Sequence, residues 1–271
     1  MELTVNATPT FIYTGGRPFD RRLPVVVLIH GAGNDHSVWN YQARHLAHHG
    51  FSVLAPDLPG HGRSAGDPLA TIESLADWVE ALIDAAGVTQ AALAGHSMGS
   101  LIALQTAAQA PTAVTRLLLL GSVAPMPVAA PLLDAARDNR AAAHAMINQW
   151  SYTHASQLGA SATPGVSLTG LNLRLMERQR EGLLANDLGA CNAYQAGLDA
   201  ASRIRIPCAM LCGERDQMTP RRAVTPLHEA LVNAAGGARM IIIQGAGHAM
   251  MAEAPDAVSD AMRGFLNGAS T

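Results

Sequence analysis

The chain has 271 residues, enough for one large α/β domain or two small ones. A net charge of −3 offers no electrostatic footprint for nucleic acid, and no apolar run approaches the length of a membrane span. Hydrophobic residues make up 49% and charged residues 14%; much of the apolar share is alanine, which suits packed helices.

Met1 to Asn6 carry neither the basic start nor the apolar stretch of a secretory signal. Cys208 and Cys212 fall in one expected strand. Their spacing is roughly 13 Å at strand rise, beyond disulfide reach. Cys191 lies in another segment, so all three cysteines read as free thiols and the chain as cytoplasmic.

Residues 3 to 14 are rich in β-formers and end at Gly15-Gly16, which predicts an antiparallel pair at a sheet edge. Val25 to Ile29 is continuously apolar and β-branched, the pattern of a strand covered on both faces. It ends in His30-Gly31-Ala32-Gly33, and Val38, Tyr41 and Leu46 follow at helical spacing. Phe51 to Ala55 is a second buried strand, and Pro56 to Ser64 has too many turn residues to be anything but loop. Thr71 to Ala86 reads as a helix with Thr71 as N-cap and Ile72, Leu75, Val79, Leu82 and Ile83 on one stripe. An apolar run stops at Gly95, a helix-forming run covers Leu101 to Ala110, and Leu117 to Leu120 is the next strand.

Strands alternating with helices predict a mainly parallel sheet with helices on both faces. Its ligand site should lie at the carboxyl ends of the strands. Between residues 124 and 204 the rhythm breaks. Helices are expected over Pro131 to Ser151, Leu168 to Ala185 and Asp187 to Ala200, with no buried strand. This block reads as a helical cap inserted into a core made of residues 1–123 and 205–271. The strand pattern resumes at Pro207 to Gly213 and at Ala238 to Ile243, with helices over Arg221 to Ala234 and Pro255 to Leu266.

Ser97 lies between Gly95 and Gly99 at the spacing Gly-x-Ser-x-Gly, in a strand-turn-helix context. Such a turn holds the serine at a strained backbone angle, and the flanking glycines let strand and helix approach. The turn also puts the Met98 N–H at a helix N-terminus, where it can face a developing negative charge. A serine hydroxyl needs a base, and the base an orienting carboxylate. Asp216 lies three residues past the strand ending at Gly213, and His248 in the loop after the last strand. All three sit at one end of a parallel sheet, in the chain order Ser, Asp, His. Glu214 is the alternative acid. A second oxyanion donor should come from the loop after Ile29.

Five motifs carry a resemblance: His30-Gly31-Ala32-Gly33, Asp57 to Ser64, Gly95 to Gly99, Gly213 to Asp216 and Gly245 to His248. With them the chain resembles the α/β-hydrolase superfamily over nearly its whole length. The resemblance implies a mainly parallel eight-stranded sheet and a catalytic triad of Ser97, Asp216 and His248. By the same resemblance the acid is at Asp216, and the oxyanion donors are the N–H groups of Met98 and Ala32, with Gly33 as runner-up. His30, His61 and His96 read as loop-fixing or packing residues, and Asp57 and Arg63 as ties for the turn after the second buried strand. His45 with His48 or His49 falls at helical spacing but lacks a third ligand, so no metal is expected. No phosphate-cradling loop ends in Lys-Ser or Lys-Thr, so no nucleotide is expected either, and no cofactor is implied.

Serine as nucleophile leaves acyl chemistry, with a carboxylic ester of a small, mostly apolar molecule as the first expectation. Carbon–carbon bond hydrolysis, cofactor-free perhydrolysis and a receptor-like binding role under the cap are alternatives. Trp39, Met146, Trp150, Tyr194 and Met250 are the expected pocket residues, with Tyr152, Met176 and Leu183 as further candidates.

Overall fold

A computed structural model describes residues 1–268. Its strands are β1 (Glu2–Val5), β2 (Thr8–Tyr13), β3 (Val25–Ile29), β4 (Ser52–Pro56), β5 (Ala91–His96), β6 (Val114–Leu120), β7 (Cys208–Gly213) and β8 (Ala238–Ile243). They form one eight-stranded sheet in the order β1-β2-β4-β3-β5-β6-β7-β8. The opening pair β1 and β2 is antiparallel, and β2 joins β4 antiparallel. From β4 to β8 every pairing is parallel.

The continuous apolar runs are explained by two cores. Val25, Val27 and Ile29 face one side of the sheet, with the helices Ile72–Ala85 and Met98–Gln109 packed over them. Val26 and Leu28 face the other side, under the helices Asn40–His48 and Pro255–Leu266. A strand buried on both faces has no polar positions to alternate with. Successive strands step to one side from β3 to β4 and to the other from β3 to β5. The crevice at this reversal, outside the carboxyl ends of β3 and β5, is where open α/β sheets bind ligands. The loops after those two strands carry Ala32 and Ser97.

Thr71 caps its helix, its side chain accepting from the Ser74 N–H at 3.1 Å. The expected helix after Ser97 starts earlier than the apolar run does. It begins at Met98, because the turn between strand and helix is a single residue.

Between β6 and β7 the described residues form helices and no strand. The three helices expected there are each broken. Pro131 to Ser151 divides into Ala130–Asp138 and Arg140–Ser151 at Asn139, whose side chain caps the second piece through the Ala142 N–H. Leu168 to Ala185 stops at Glu177, and Gly182 at φ 79° opens the next helix, Leu183–Ala193. Asp187 to Ala200 is interrupted after Ala193, and Gly197–Arg203 follows as a separate helix. Leu132, Ala135, Ala136, Ala143, Leu184 and Leu188 make a small core of their own. From Ala190 onward the packing changes: Cys191, Tyr194, Ala200, Ala201 and Ile204 belong to the core under the sheet.

The glycines around Ser97 are fixed by backbone contact. A Cβ on Gly95 would lie 2.0 Å from the Gly99 carbonyl oxygen, and one on Gly99 would lie 2.2 Å from that of Ile29. Backbone cannot yield as a side chain can. Gly95→Ala should therefore lower stability by about 3 kcal/mol or more. Gly189, exposed in the helix Leu183–Ala193, has nothing within 4 Å of its added Cβ. Gly189→Ala should stabilise by up to about 1 kcal/mol. Urea denaturation of both variants checks the contrast, and equal effects would contradict it.

Candidate active site

Ser97 has φ 54° and ψ −120°, a conformation L-residues avoid. It is held from both sides. Its N–H donates to the Leu120 carbonyl at 2.9 Å, and its own carbonyl accepts from Ser100 N at 2.8 Å and Ser100 Oγ at 2.6 Å. The strand β5 and the helix Met98–Gln109 thus lock the one residue between them.

Asp216 and His248 come together as their strands end side by side. His248 Nδ1 donates to Asp216 Oδ2 at 2.9 Å. Asp216 also accepts from Thr219 Oγ1 at 2.6 Å and from the N–H groups of Met218 and Thr219, each at 2.8 Å. Burial alone would raise this carboxyl, but the His248 imidazole and the Thr219 donors hold it well below the usual carboxylate range. With Nδ1 carrying a proton for Asp216, Nε2 of a neutral ring presents a lone pair. That nitrogen is buried and has no hydrogen-bond partner among the described residues. The Ser97 hydroxyl is not bonded to it, yet both residues border the same two cavities.

The backbone of His248 is fixed by its neighbours. His96 Nε2 donates to the His248 carbonyl at 2.9 Å, and the two rings lie 4.7 Å apart. A Cβ on Gly121 would come within 2.9 Å of His248 Cε1, so this position has no room for a side chain. Burial, and then the nearby His248, push His96 down to about 3, leaving it neutral. Glu214, the alternative acid, is turned elsewhere and accepts from the Gly245 N–H at 2.8 Å.

The loop after β3 is fastened by buried side chains. Leu58 N donates to His30 Nε2 at 3.1 Å, so His30 Nδ1 carries the proton and donates to the Gly31 carbonyl at 2.9 Å. The Gly33 N–H is already taken, donating to Asp187 Oδ2 at 2.8 Å. The N–H groups of Ala32 and Met98 have no protein acceptor among the described residues. Asp57 accepts from the Arg63 N–H at 2.8 Å, and the Ser64 hydroxyl donates to the Asp57 carbonyl at 2.7 Å, which closes the turn after β4.

Two cavities meet at Ser97, Met218 and His248. One, of about 360 Å³, is bordered by Asn34, Tyr41, Tyr152, Leu175, Arg178 and Met251. The other, of about 340 Å³, is bordered by Met126, Val128, Leu132, Trp150 and Leu188. Of the expected pocket residues, Trp150 borders the second cavity. Trp39 and Met250 are fully buried in the core between the sheet and its outer helices, facing neither cavity. Tyr194 is buried beneath, its hydroxyl donating to Gln105 Oε1 at 2.7 Å. Met146 packs on the small helical core, and Met176 and Leu183 are buried away from both cavities. Tyr41, Met218 and Met251 carry no sequence signal that sets them apart from ordinary loop and core residues.

The described residues hold one grouping close enough to ligate an ion: Asp35, His36 and Asp57. Its oxygens are already in use. Asp35 accepts from Ser37 and Arg178, and Asp57 from His36 and Arg63. Cys191, Cys208 and Cys212 are free and buried, and burial pushes the Cys208 thiol up to about 12. No helix among the described residues is long and apolar enough to cross a membrane.

The sequence model of the alpha/beta hydrolase family matches residues 26–261. The chain is 31% identical to a pimeloyl-[acyl-carrier protein] methyl ester esterase of Neisseria meningitidis, over 90% of this chain and 93% of that one. It is 26% identical to the (E)-2-((N-methylformamido)methylene)succinate hydrolase of Acinetobacter baylyi, over 98% and 97%. Among solved structures, the enol-lactonase of Burkholderia xenovorans superposes with a TM-score of 0.84 at 24% identity, covering 98% of this chain and all of that one.

The Asp216 carboxyl titrates lower folded than unfolded. Its stabilisation is complete above the unfolded value, about pH 4, and is lost as pH falls through the folded one. Asp216→Asn should therefore cost more stability at pH 7 than at pH 3, as read by urea denaturation at both. An equal cost would contradict the pairing.

Proposed function

The chain belongs to the alpha/beta hydrolase family, and we propose that it cleaves a carboxylic ester through an acyl-enzyme formed on Ser97. The ester class is supported by family membership and by full-length likeness to a methyl ester esterase. The mechanism rests on one observation above the others. Asp216 fixes His248 with Nδ1 protonated, so the unpartnered Nε2 lone pair borders the cavities that Ser97 also borders.

As the Ser97 hydroxyl oxygen attacks the ester carbonyl, its proton passes to His248 Nε2. The imidazolium that forms is stabilised by the Asp216 carboxylate. The carbonyl oxygen becomes an oxyanion and takes up the N–H groups of Ala32 and Met98, each worth roughly 2.7–4 kcal/mol in the transition state. Collapse breaks the bond to the alcohol, which leaves with the proton from Nε2. Water then enters and gives a proton to Nε2 as its oxygen attacks the acyl carbon; the bond to Ser97 Oγ breaks, Oγ takes that proton back from Nε2, and the acid leaves. The second donor is Ala32 because the alternative, the Gly33 N–H, is committed to Asp187.

The two cavities suit the two sides of a small ester, one on each flank of the reacting carbon. The cavity bordered by Met126, Val128, Leu132 and Leu188 suits a mostly apolar group, and the other adds Asn34 and Arg178 to its apolar wall. The helices from Ala130 to about Gly189 act as the cap, while Gly197–Arg203, which packs in the core under the sheet, belongs with the body of the domain, so the expected cap boundary at 204 moves back to near residue 190. The unpaired, buried thiols fit a reducing cytoplasm.

Ser97→Ala, assayed with p-nitrophenyl acetate, butyrate and octanoate, should lower kcat/KM by about 10³-fold or more. Turnover equal to the wild type on the preferred ester would refute the assignment.

A further inference from the structure

His61 and Asp187 form a buried pair that the reaction sequence above does not use. His61 Nε2 lies 2.8 Å from Asp187 Oδ2, and His61 Nδ1 lies 3.0 Å from the Pro59 carbonyl oxygen. Both side chains are 1% exposed. A carbonyl oxygen and a carboxylate oxygen can only accept, so each ring nitrogen must donate. The ring is therefore an imidazolium, and its counter-charge is Asp187.

The same carboxylate oxygen accepts from the Gly33 N–H, in the loop that carries Ala32. The same helix, Leu183–Ala193, lies close over Gly33 and is also tied to the segment after β4. A Cβ on Gly33 would lie 3.0 Å from Leu184 Cδ1, and Asn186 Nδ2 donates to the Leu69 carbonyl at 2.9 Å. One helix of the inserted segment thus grips the loop after β3 at both its backbone and its surface.

We infer that Asp187 is a positioning residue: charged against a protonated His61, it fixes the Gly31–Asn34 loop so that the Ala32 N–H is held ready for the oxyanion. The inference rests on the preceding reading of Ser97 and Ala32. The ion pair makes docking and loop geometry one event. Its groups are few and face one another closely. His61 meets Asp187 from the inserted helix, Asp57 from the turn after β4, and the His30 ring at 4.9 Å. Burial works against the charge on His61, but Asp187 outweighs it and raises the ring above its ordinary value. Burial and then the charge on His61 push His30 down to about 4, so it stays neutral beside its charged neighbour. The stabilisation from the pair is whole below the unfolded histidine value, about pH 6.5, and is lost as pH rises through the raised folded one.

The test is kinetic and spectroscopic. Asp187→Ala, Asp187→Asn and Ser97→Ala are assayed in parallel with p-nitrophenyl butyrate. Asp187→Ala should lower kcat by about ten- to a hundredfold with KM within about threefold, because the loss is of transition-state geometry. Asp187→Asn should recover part of kcat, since its amide oxygen still accepts from Gly33. A folded Asp187→Ala with kcat within about twofold of wild type would overturn the inference. Should Asp187→Ala fail to fold, ¹⁵N NMR of the wild-type histidines decides. Both His61 ring nitrogens should be protonated at pH 7, and a neutral ring there overturns the inference. Full activity in Ser97→Ala would remove the reaction reading while leaving the His61 measurement to stand or fall alone.

Discussion

Three backbone segments meet at Gly95, Gly99 and Ile29 with no space for a single extra carbon. Strand β5 can therefore run straight into its helix with one residue between, and that residue is forced to φ 54°. The strained serine is carried to the rim of the sheet, where the loops after β3, β7 and β8 also end. Parallel pairing does the rest. Because β3, β5, β7 and β8 all point the same way, Ala32, Ser97, Asp216 and His248 gather at one edge despite lying far apart in sequence.

The electrostatics of that edge show how burial and partners together decide the state of a histidine. Four imidazoles are buried around it. His30 takes a backbone N–H on one nitrogen and gives a proton to a carbonyl from the other, which a neutral ring satisfies. His96 gives one proton to the His248 carbonyl and is likewise neutral. His61 faces two acceptors and must be charged. His248 gives one proton to Asp216 and leaves its other nitrogen open. His96 also leaves a nitrogen, Nδ1, without a partner among the described residues and borders one cavity with Ser97, but only His248 has a carboxylate against its protonated nitrogen and borders both cavities. The histidines at 30 and 96 fasten the loops that this one depends on.

Much of the site was legible in the sequence because it is written in local chemistry. Short apolar runs mark the strands of the parallel sheet, and each motif stands just after such a run. Gly95 and Gly99 announce a tight turn, and Asp216 and His248 follow their strands closely enough that direction alone brings them together. The breaks in the inserted helices were less visible, although Asn139 as a cap and Gly182 at positive φ are both ordinary helix-end chemistry. The pocket was the least legible part. Trp39, Tyr194 and Met250 are large and apolar, and that makes them as fit for a core as for a cavity; tertiary packing put them in the core. Asp187 left one trace, as the single charged residue between Leu183 and Leu198. Its partner, His61, is 126 positions away, and nothing local could pair them.

The central claim is that Ser97 becomes covalently acylated during turnover. Rapid acid quench of the enzyme with a slowly deacylating p-nitrophenyl ester, followed by proteolysis and mass spectrometry, reads this directly. The account predicts the acyl mass on the peptide spanning Gly95 to Gly99, at Ser97, and its loss on longer incubation. Turnover with no acyl group on that peptide, or with the group on another residue, would contradict it.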